Sequence, residues 1–138
     1  MRIVIMGCGR VGSQLATQLH REGHAVSIID MSSKSFRRLP DDFSGMTVIG
    51  TGIDEDVLRA AGIEGADAFV AVTEGDNRNI MAAQVAREIF GVPEVVARIY
   101  DPGREEIYRD LGIDTICPTT VVGSLIQERL SARLVRRA

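Results

Sequence analysis

The sequence has few of the residues that mark several common protein classes. It has two cysteines, two tyrosines, four phenylalanines and no tryptophan among 138 residues. Cys8 and Cys117 are too few for a disulfide framework, and they lack the spacing of a metal site. We therefore expect no metal site and two reduced thiols that act as small buried residues.

Long hydrophobic runs and an excess of basic residues are also absent. No apolar run approaches the roughly 18 residues that cross a bilayer, and the run after Met1 is too short for a signal peptide. The net charge is −3, which argues against electrostatic binding to nucleic acid. The sequence thus predicts a cytoplasmic chain without a nucleic-acid partner.

The sequence does contain a regular alternation of short apolar runs and helical patterns. Such runs are typical of strands buried on both faces of a parallel sheet. The six runs are RIVIMG, HAVSIID, MTVIGTG, ADAFVAVTE, EVVARIYD and DTICP. Strands separated by helices predict an α/β fold of the doubly wound Rossmann type, with a six-stranded parallel sheet and helices on both faces. We expect residues 1–138 to form a single domain.

Three glycines follow the first predicted strand. Gly7, Gly9 and Gly12 form the pattern G-x-G-x-x-G between a strand and a helix, which is the context of dinucleotide binding. The first glycine permits a tight turn, the second lets the backbone approach a pyrophosphate, and the third lets the helix pack close to the sheet. The helix N-terminus then presents N–H groups and partial positive charge to phosphates.

An aspartate, Asp30, ends the second predicted strand, 18 residues beyond Gly12. A carboxylate at this place accepts hydrogen bonds from both ribose hydroxyls of an adenosine, and it repels a 2′-phosphate. Asp30 therefore favours NAD(H) or an adenine nucleotide such as ATP or ADP over NADP.

Further candidates lie in the loops after the third and fourth strands, since open α/β sheets bind ligands at the carboxyl ends of their strands. Thr51 can border an adenine, whereas Asp54 is expected chiefly to cap the next helix. Thr73, Asn77 and Asn79 either reach a nucleotide or cap a helix, and the sequence favours neither alternative.

Two arginines are candidates for phosphate contact. Arg98 lies in an apolar segment, where an unpaired guanidinium is costly to bury, so we expect a phosphate or a carboxylate nearby. Arg10, in the glycine loop, either lies over the diphosphate or points into solvent. His20 and His24 belong to the far end of the first helix, and we expect both at the surface.

The sequence offers no recognisable catalytic residues. A dehydrogenase needs an acid or base beside the nicotinamide, usually from a second domain. We find no histidine in the predicted cleft, no nucleophile paired with a base and no Walker-type lysine. The sequence thus predicts a nucleotide that is sensed and not transformed. The alternatives are the cofactor-binding half of an NAD-dependent oxidoreductase and a redox or nucleotide sensor for a soluble partner.

Four stretches together resemble the N-terminal RCK domain, also called KTN or TrkA-N. They are MRIVIMGCGRVGSQLATQL, SIID, GTGIDEDVLRAAGIEGADAFVAVTEGDNRNIMAAQVAREIFGV and VVARIYDPGREEIYRDLGIDTICP. The resemblance extends from the first strand to about Leu130. RCK domains are cytosolic nucleotide-sensing subunits and gating rings of potassium transporters and channels.

The resemblance implies a set of nucleotide-binding residues. It assigns the phosphates to Gly7, Gly9, Arg10 and Val11, the ribose to Asp30, the adenine to Thr51, Gly52, Ile53 and Asp54, the rest of the cleft to Thr73, Glu74 and Asn77, and the terminal phosphate to Arg98. The loop after the third strand departs from the family pattern, because it reads GTGID where GDATD is usual.

The resemblance also implies a function. We expect a cytoplasmic regulator that meets a membrane potassium transporter or channel subunit at the inner face of the membrane. A bound nucleotide would rearrange a homodimer or a higher ring, and so gate potassium transport. The C-terminal RCK lobe that is usual in the family is absent from these residues.

The last helical pattern carries an apolar stripe at the place where family members dimerise. Its members are Val121, Val122, Leu125, Ile126 and Leu130. The stripe either packs on the chain's own sheet or joins two copies of the chain, and the resemblance favours a homodimer.

Overall fold

The fold, in a computed structural model that describes residues 1–137, is built around one parallel sheet. The strands are β1 (Arg2–Met6), β2 (Ala25–Asp30), β3 (Met46–Ile49), β4 (Ala68–Ala71), β5 (Glu94–Arg98) and β6 (Asp114–Ile116). They lie in the order β3-β2-β1-β4-β5-β6, which is the Rossmann order. The predicted six-stranded parallel sheet of Rossmann type is confirmed.

Helical segments join the successive strands. The α-helices are α1 (Arg10–Arg21), α2 (Glu55–Ala60), α3 (Asp76–Gln84), α4 (Pro102–Asp110) and α5 (Pro118–Arg137). A 3₁₀-helix, Ser33–Arg38, follows β2, and α3 continues as a π-helical turn, Val85–Ile89. Within residues 1–137, no helix combines the length and the apolar character that a bilayer span needs.

The core consists of two apolar layers, one on each face of the sheet. In β1, Val4 and Met6 belong to one layer and Ile3 and Ile5 to the other. A strand that is buried on both faces needs apolar residues at every position, which explains the continuous run at the start of the sequence. Both cysteines are free and buried, as predicted. The central strands β1 and β4 thus hold the loops at their carboxyl ends in fixed positions.

The terminal helix α5 stands apart from this core. None of its residues is buried, and the five members of its apolar stripe are between 46% and 57% exposed. With these exposures, the stripe does not pack on the sheet of its own chain. That alternative is wrong for the described residues.

Candidate nucleotide-binding site

A cleft of about 680 Å³ opens at the carboxyl ends of the central strands. It lies where the strand order changes direction between β1 and β4, which is the usual ligand site of an open α/β sheet. Its volume is that of a small-molecule site. The predicted site residues that line it are Gly7, Gly9, Arg10, Val11, Asp30, Thr51, Thr73, Glu74 and Arg98.

The glycine loop forms one wall of the cleft and has little room for side chains. Gly7 has a φ of +110°, and a Cβ there would lie 2.8 Å from the carbonyl oxygen of Val72. A Cβ on Gly12 would lie 1.7 Å from the carbonyl oxygen of Gly7, whereas one on Gly9 would meet nothing within 4 Å. Gly7 and Gly12 therefore allow close packing, and Gly9 leaves an open surface for a ligand.

Helix α1 begins beside this loop with its N-terminal N–H groups free of side-chain partners. Its N-cap, Gly9, makes no side-chain cap, and the first turn contains no acidic residue. The first N–H groups of a helix have no partner within the helix and carry partial positive charge. The end of α1 can therefore bind an anion such as a phosphate.

Asp30 lies at the end of β2 and is held by two backbone amides. Its Oδ2 accepts a hydrogen bond from the Cys8 N–H at 2.8 Å, and its Oδ1 accepts one from the Ser32 N–H at 2.9 Å. Each carboxylate oxygen accepts more than one hydrogen bond. Asp30 is thus fixed in orientation and keeps acceptor capacity for ribose hydroxyls.

Cys8, in the glycine loop, is a buried thiol and not a nucleophile. Its Sγ donates a hydrogen bond to the carbonyl oxygen of Ser35 at 3.4 Å. Burial raises the pKa of the Cys8 thiol to about 11, the Asp30 carboxylate raises it too, and the Arg38 guanidinium acts in the opposite direction. The thiol is therefore protonated at neutral pH, and only the thiolate reacts readily.

Asn79 is fully buried and joins the ends of β4 and β5. Its Oδ1 accepts hydrogen bonds from the N–H and the hydroxyl of Thr73, at 2.9 and 2.6 Å. Its Nδ2 donates to the carbonyl oxygens of Thr73 and Arg98, at 2.9 and 2.8 Å. Asn79 neither reaches the cleft nor caps a helix. It holds in place two residues that do line the cleft.

Arg98 lines the cleft with its guanidinium partly occupied by backbone carbonyls. Its Nη2 donates to the carbonyl oxygens of Val72 and Thr73, at 2.8 and 3.0 Å, and its Cζ lies 4.7 Å from the centre of the Tyr100 ring. No carboxylate of residues 1–137 forms an ion pair with it. The expectation of a partner carboxylate is therefore wrong, because β4 ends before these two carbonyls and leaves them as acceptors.

The Nε of Arg98 points to a further interaction. It is buried and has no hydrogen-bond partner among the described residues. A buried unpaired donor costs about 1–3 kcal/mol. Because Arg98 lines the cleft, it remains a candidate for phosphate contact.

Five predicted site residues do not line the cleft. Gly12 packs against Gly7 beneath α1, and Gly52 packs against Met6, whose Sδ accepts a hydrogen bond from the Gly52 N–H. Ile53 is half exposed outside the cleft. Gly12 thus has the packing role that the glycine pattern predicts, whereas Gly52 and Ile53, predicted to border the adenine, lie outside the cleft.

Asp54 and Asn77 have structural partners instead. The Oδ1 of Asp54 accepts a hydrogen bond from the Asp56 N–H at 2.9 Å, so its predicted role as the cap of α2 is confirmed. The Oδ1 of Asn77 accepts one from the Arg104 guanidinium at 2.8 Å. Asn77 thus ties α3 to α4 and does not line the cleft.

Several lining residues lie outside the nucleotide-binding pattern of the sequence. They are Met31, Ser35, Arg38, Gly50, Arg78 and Tyr100. Two of them are close in sequence to predicted site residues: Met31 directly follows Asp30, and Tyr100 is two residues after Arg98. This closeness is the sequence signal that could have identified them. Arg38 and Arg78 lie on helical segments, and only the tertiary fold directs them to the cleft.

The cleft carries more positive than negative charge. Four arginines line it, Arg10, Arg38, Arg78 and Arg98, against two carboxylates, Asp30 and Glu74. The partial charge at the start of α1 adds to this excess. The cleft is therefore suited to an anion with several charges, although the whole chain has a net charge of −3.

Three comparisons relate the chain to known proteins. Trk system potassium uptake protein TrkA of Streptomyces coelicolor is 56% identical over 130 residues, which are 94% of this chain and 58% of that protein. The TrkA-N domain of the inner membrane protein ybaL from Escherichia coli has a TM-score of 0.83 at 19% identity, with 94% of this chain and 96% of that chain covered. GsuK bound to ADP has a TM-score of 0.74 at 26% identity, with 94% and 33% covered.

The family assignment follows from the sequence. The family model of the TrkA-N domain matches residues 3–119, which include the glycine loop, strands β2 to β6 and all of β1 except Arg2. The chain spans a little over half the length of the Streptomyces relative. The predicted resemblance is confirmed, and the chain belongs to the TrkA-N domain family.

Proposed function

We propose that this chain is a nucleotide-sensing regulatory domain of a potassium uptake system. The observation that carries the proposal is the cleft itself, where the free N-terminus of α1 and the carboxylate of Asp30 face the same space. That pair matches the phosphate and the ribose of a nucleotide. The relation to a potassium uptake protein supports the second half of the proposal, the system in which the domain acts.

The ligand is an adenine nucleotide, ATP or ADP, or NAD(H). The carboxylate of Asp30 can accept hydrogen bonds from unmodified ribose hydroxyls, and its negative charge disfavours the 2′-phosphate of NADP. The related structure of GsuK bound to ADP supports an adenine nucleotide. We assign the adenine to the loop of Thr51, which lines the cleft next to the end of β2.

The domain senses the nucleotide and does not transform it. Pocket residues with acid or base function are needed for hydride transfer. Neither histidine lines the cleft, and the Cys8 thiol is protonated at neutral pH. A bound ligand can shift an assembly between two arrangements only when it binds them with different affinities. We propose that such a difference is transmitted to a membrane potassium transporter or channel subunit at the cytoplasmic face.

Nucleotide binding is tested by titration calorimetry of the chain with NAD, NADH, ATP and ADP. Asp30→Ala should weaken the preferred nucleotide at least about ten-fold, because a hydrogen bond to a charged group contributes about 1.5–3 kcal/mol. Asp30→Asn, which keeps one oxygen acceptor, should have an intermediate effect. Asp42→Ala is the matched control, because Asp42 is exposed and pairs with Arg21 away from the cleft. Absence of binding by the unchanged chain would contradict the proposal.

We propose a homodimer, or a higher ring built from it, that forms through the exposed stripe of α5. Leu125→Glu places a charge in this stripe at two symmetric positions of a dimer. Loss of two buried leucines should raise the dissociation constant about 100-fold or more, as measured by sedimentation velocity over a range of concentrations. Gln127→Glu, on another face of the helix, should leave the dimer intact. A chain that stays monomeric at high concentration, or a Leu125→Glu dimer of unchanged affinity, would refute this interface.

A further inference from the structure

Arg78 lies on the rim of the cleft, although no nucleotide-binding pattern of the sequence includes it. It is on the first turns of α3 and is exposed. Its guanidinium lies over Gly75, since a Cβ there would be 2.8 Å from the Arg78 Nε. Gly75 therefore gives the guanidinium the room to turn back from the helix toward the cleft.

The contact that Arg78 makes reaches from one side of the cleft to the other. Its Nη1 lies 3.6 Å from the Sδ of Met31. Arg78 follows β4, and Met31 follows β2, on the opposite side of β1. The glycine loop after β1 lies between these two strands, so the side chain extends across the region where a phosphate would approach α1.

The Met31 thioether is a poor partner for a guanidinium. A thioether sulfur accepts hydrogen bonds weakly, whereas charge-assisted bonds to phosphate oxygens are short and strong. Within residues 1–137, no carboxylate forms an ion pair with Arg78. Arg78 is thus a charged donor at the mouth of the cleft, and its acceptor among the described residues is a weak one.

We propose that Arg78 is a phosphate-binding residue that exchanges Met31 for the phosphates of the bound nucleotide and closes over them. This inference rests on the proposed nucleotide-sensing function. Phosphates at the N-terminus of α1 would then have backbone N–H groups on one side and the Arg78 guanidinium on the other. The side chain would bridge the two sides of the cleft through the ligand.

This arrangement makes Arg78 a residue that determines ligand preference. ATP carries a terminal phosphate with additional charge, whereas the two phosphates of NAD form a diphosphate bridge with one charge on each. A guanidinium binds the more highly charged group more strongly. Arg78 should therefore contribute more to the affinity for ATP than to the affinity for NAD.

The test is calorimetric titration of the unchanged chain, Arg78→Ala, Arg78→Lys and Arg21→Ala with ATP and with NAD. Arg78→Ala should weaken the affinity for ATP about ten-fold and the affinity for NAD about three-fold or less. Arg78→Lys should recover part of the loss, because it keeps the charge without the planar fork. Arg21→Ala lowers the net charge equally but lies outside the cleft, and it should change neither affinity. Added salt should weaken ATP binding less in Arg78→Ala than in the unchanged chain.

The possible results separate this inference from the proposed function. If the unchanged chain binds neither nucleotide, both the function and the role of Arg78 are refuted. If it binds a nucleotide and Arg78→Ala binds with equal or higher affinity, only the role of Arg78 is refuted. An equal loss of affinity for ATP and for NAD would refute the ligand preference. An Arg78→Ala effect no larger than that of Arg21→Ala would refute direct phosphate contact, because it would show that only the net charge of the chain matters.

Discussion

Gly12→Ala is expected to unfold the glycine loop and to abolish nucleotide binding. The new Cβ would lie 1.7 Å from the carbonyl oxygen of Gly7, and backbone cannot move aside as a flexible side chain can. Overpacking lowers the free energy of unfolding by about 1–3 kcal/mol where side chains can adjust. Because backbone atoms clash here, we expect Gly12→Ala to lower it by at least about 3 kcal/mol. A loss of that size lowers the melting temperature by about 10 °C in a domain of this length.

Gly9→Ala is the matched variant, because its Cβ would meet nothing within 4 Å. Its melting temperature should stay within about 2 °C of the unchanged chain, since surface substitutions rarely exceed 0.5 kcal/mol. Its nucleotide affinity should nevertheless fall, because the Cβ occupies space beside the N-terminus of α1. If Gly12→Ala melts at the temperature of Gly9→Ala, the close packing of the loop against α1 is not what the third glycine provides.

Asn79→Leu is expected to have a comparable effect on stability for a different reason. Leucine has the same number of side-chain heavy atoms but no hydrogen-bonding groups. The Thr73 N–H and the Arg98 carbonyl oxygen would lose their partner, and the Thr73 carbonyl oxygen would keep only the Arg98 guanidinium. A buried polar group without a partner costs about 1–3 kcal/mol. We expect the free energy of unfolding, measured in urea, to fall by about 3–5 kcal/mol. Nucleotide binding should also weaken, because Thr73 and Arg98 line the cleft.

Asn77→Ala is a demanding control for Asn79→Leu, since the same residue type is replaced two positions earlier in the same helix. Asn77 is exposed and accepts one hydrogen bond from Arg104. Its loss should cost less than about 1 kcal/mol. Hydrogen exchange of the Thr73 amide should accelerate in Asn79→Leu and stay slow in Asn77→Ala. Unchanged protection of that amide in Asn79→Leu would show that Asn79 does not hold the end of β4.

The architecture could be predicted because each central strand is buried on both faces and so reads as an unbroken apolar run. The ends of the strands were less predictable. The predicted third strand extends over MTVIGTG, whereas β3 ends at Ile49, because the next residue, Gly50, has a φ of +151°. The apolar stripe of α5 was predicted to be a surface for its own sheet or for a second copy, and burial alone excludes the first alternative.

The site was predictable where a single local pattern determines it. The three glycines and Asp30 belong to one β-α-β unit, so their spacing in sequence is also their arrangement in space. Asn79 was not assigned correctly, because its partners come from the ends of two different strands. Arg78 is brought to the cleft by the pairing of β1 with β4 and by the space above Gly75, and no spacing along the chain indicates either.

The strand order has a consequence for how the chain folds as it is synthesised. β1 is made first, yet it lies in the middle of the sheet, and its partner β4 follows more than sixty residues later. The turn at Gly7 packs against the carbonyl oxygen of Val72 at the end of that late strand. Closure of so long a loop is slow relative to local contacts. The ribosome must therefore release β4 before the glycine loop takes its final shape, and a nucleotide can bind only a chain whose central strands have already met.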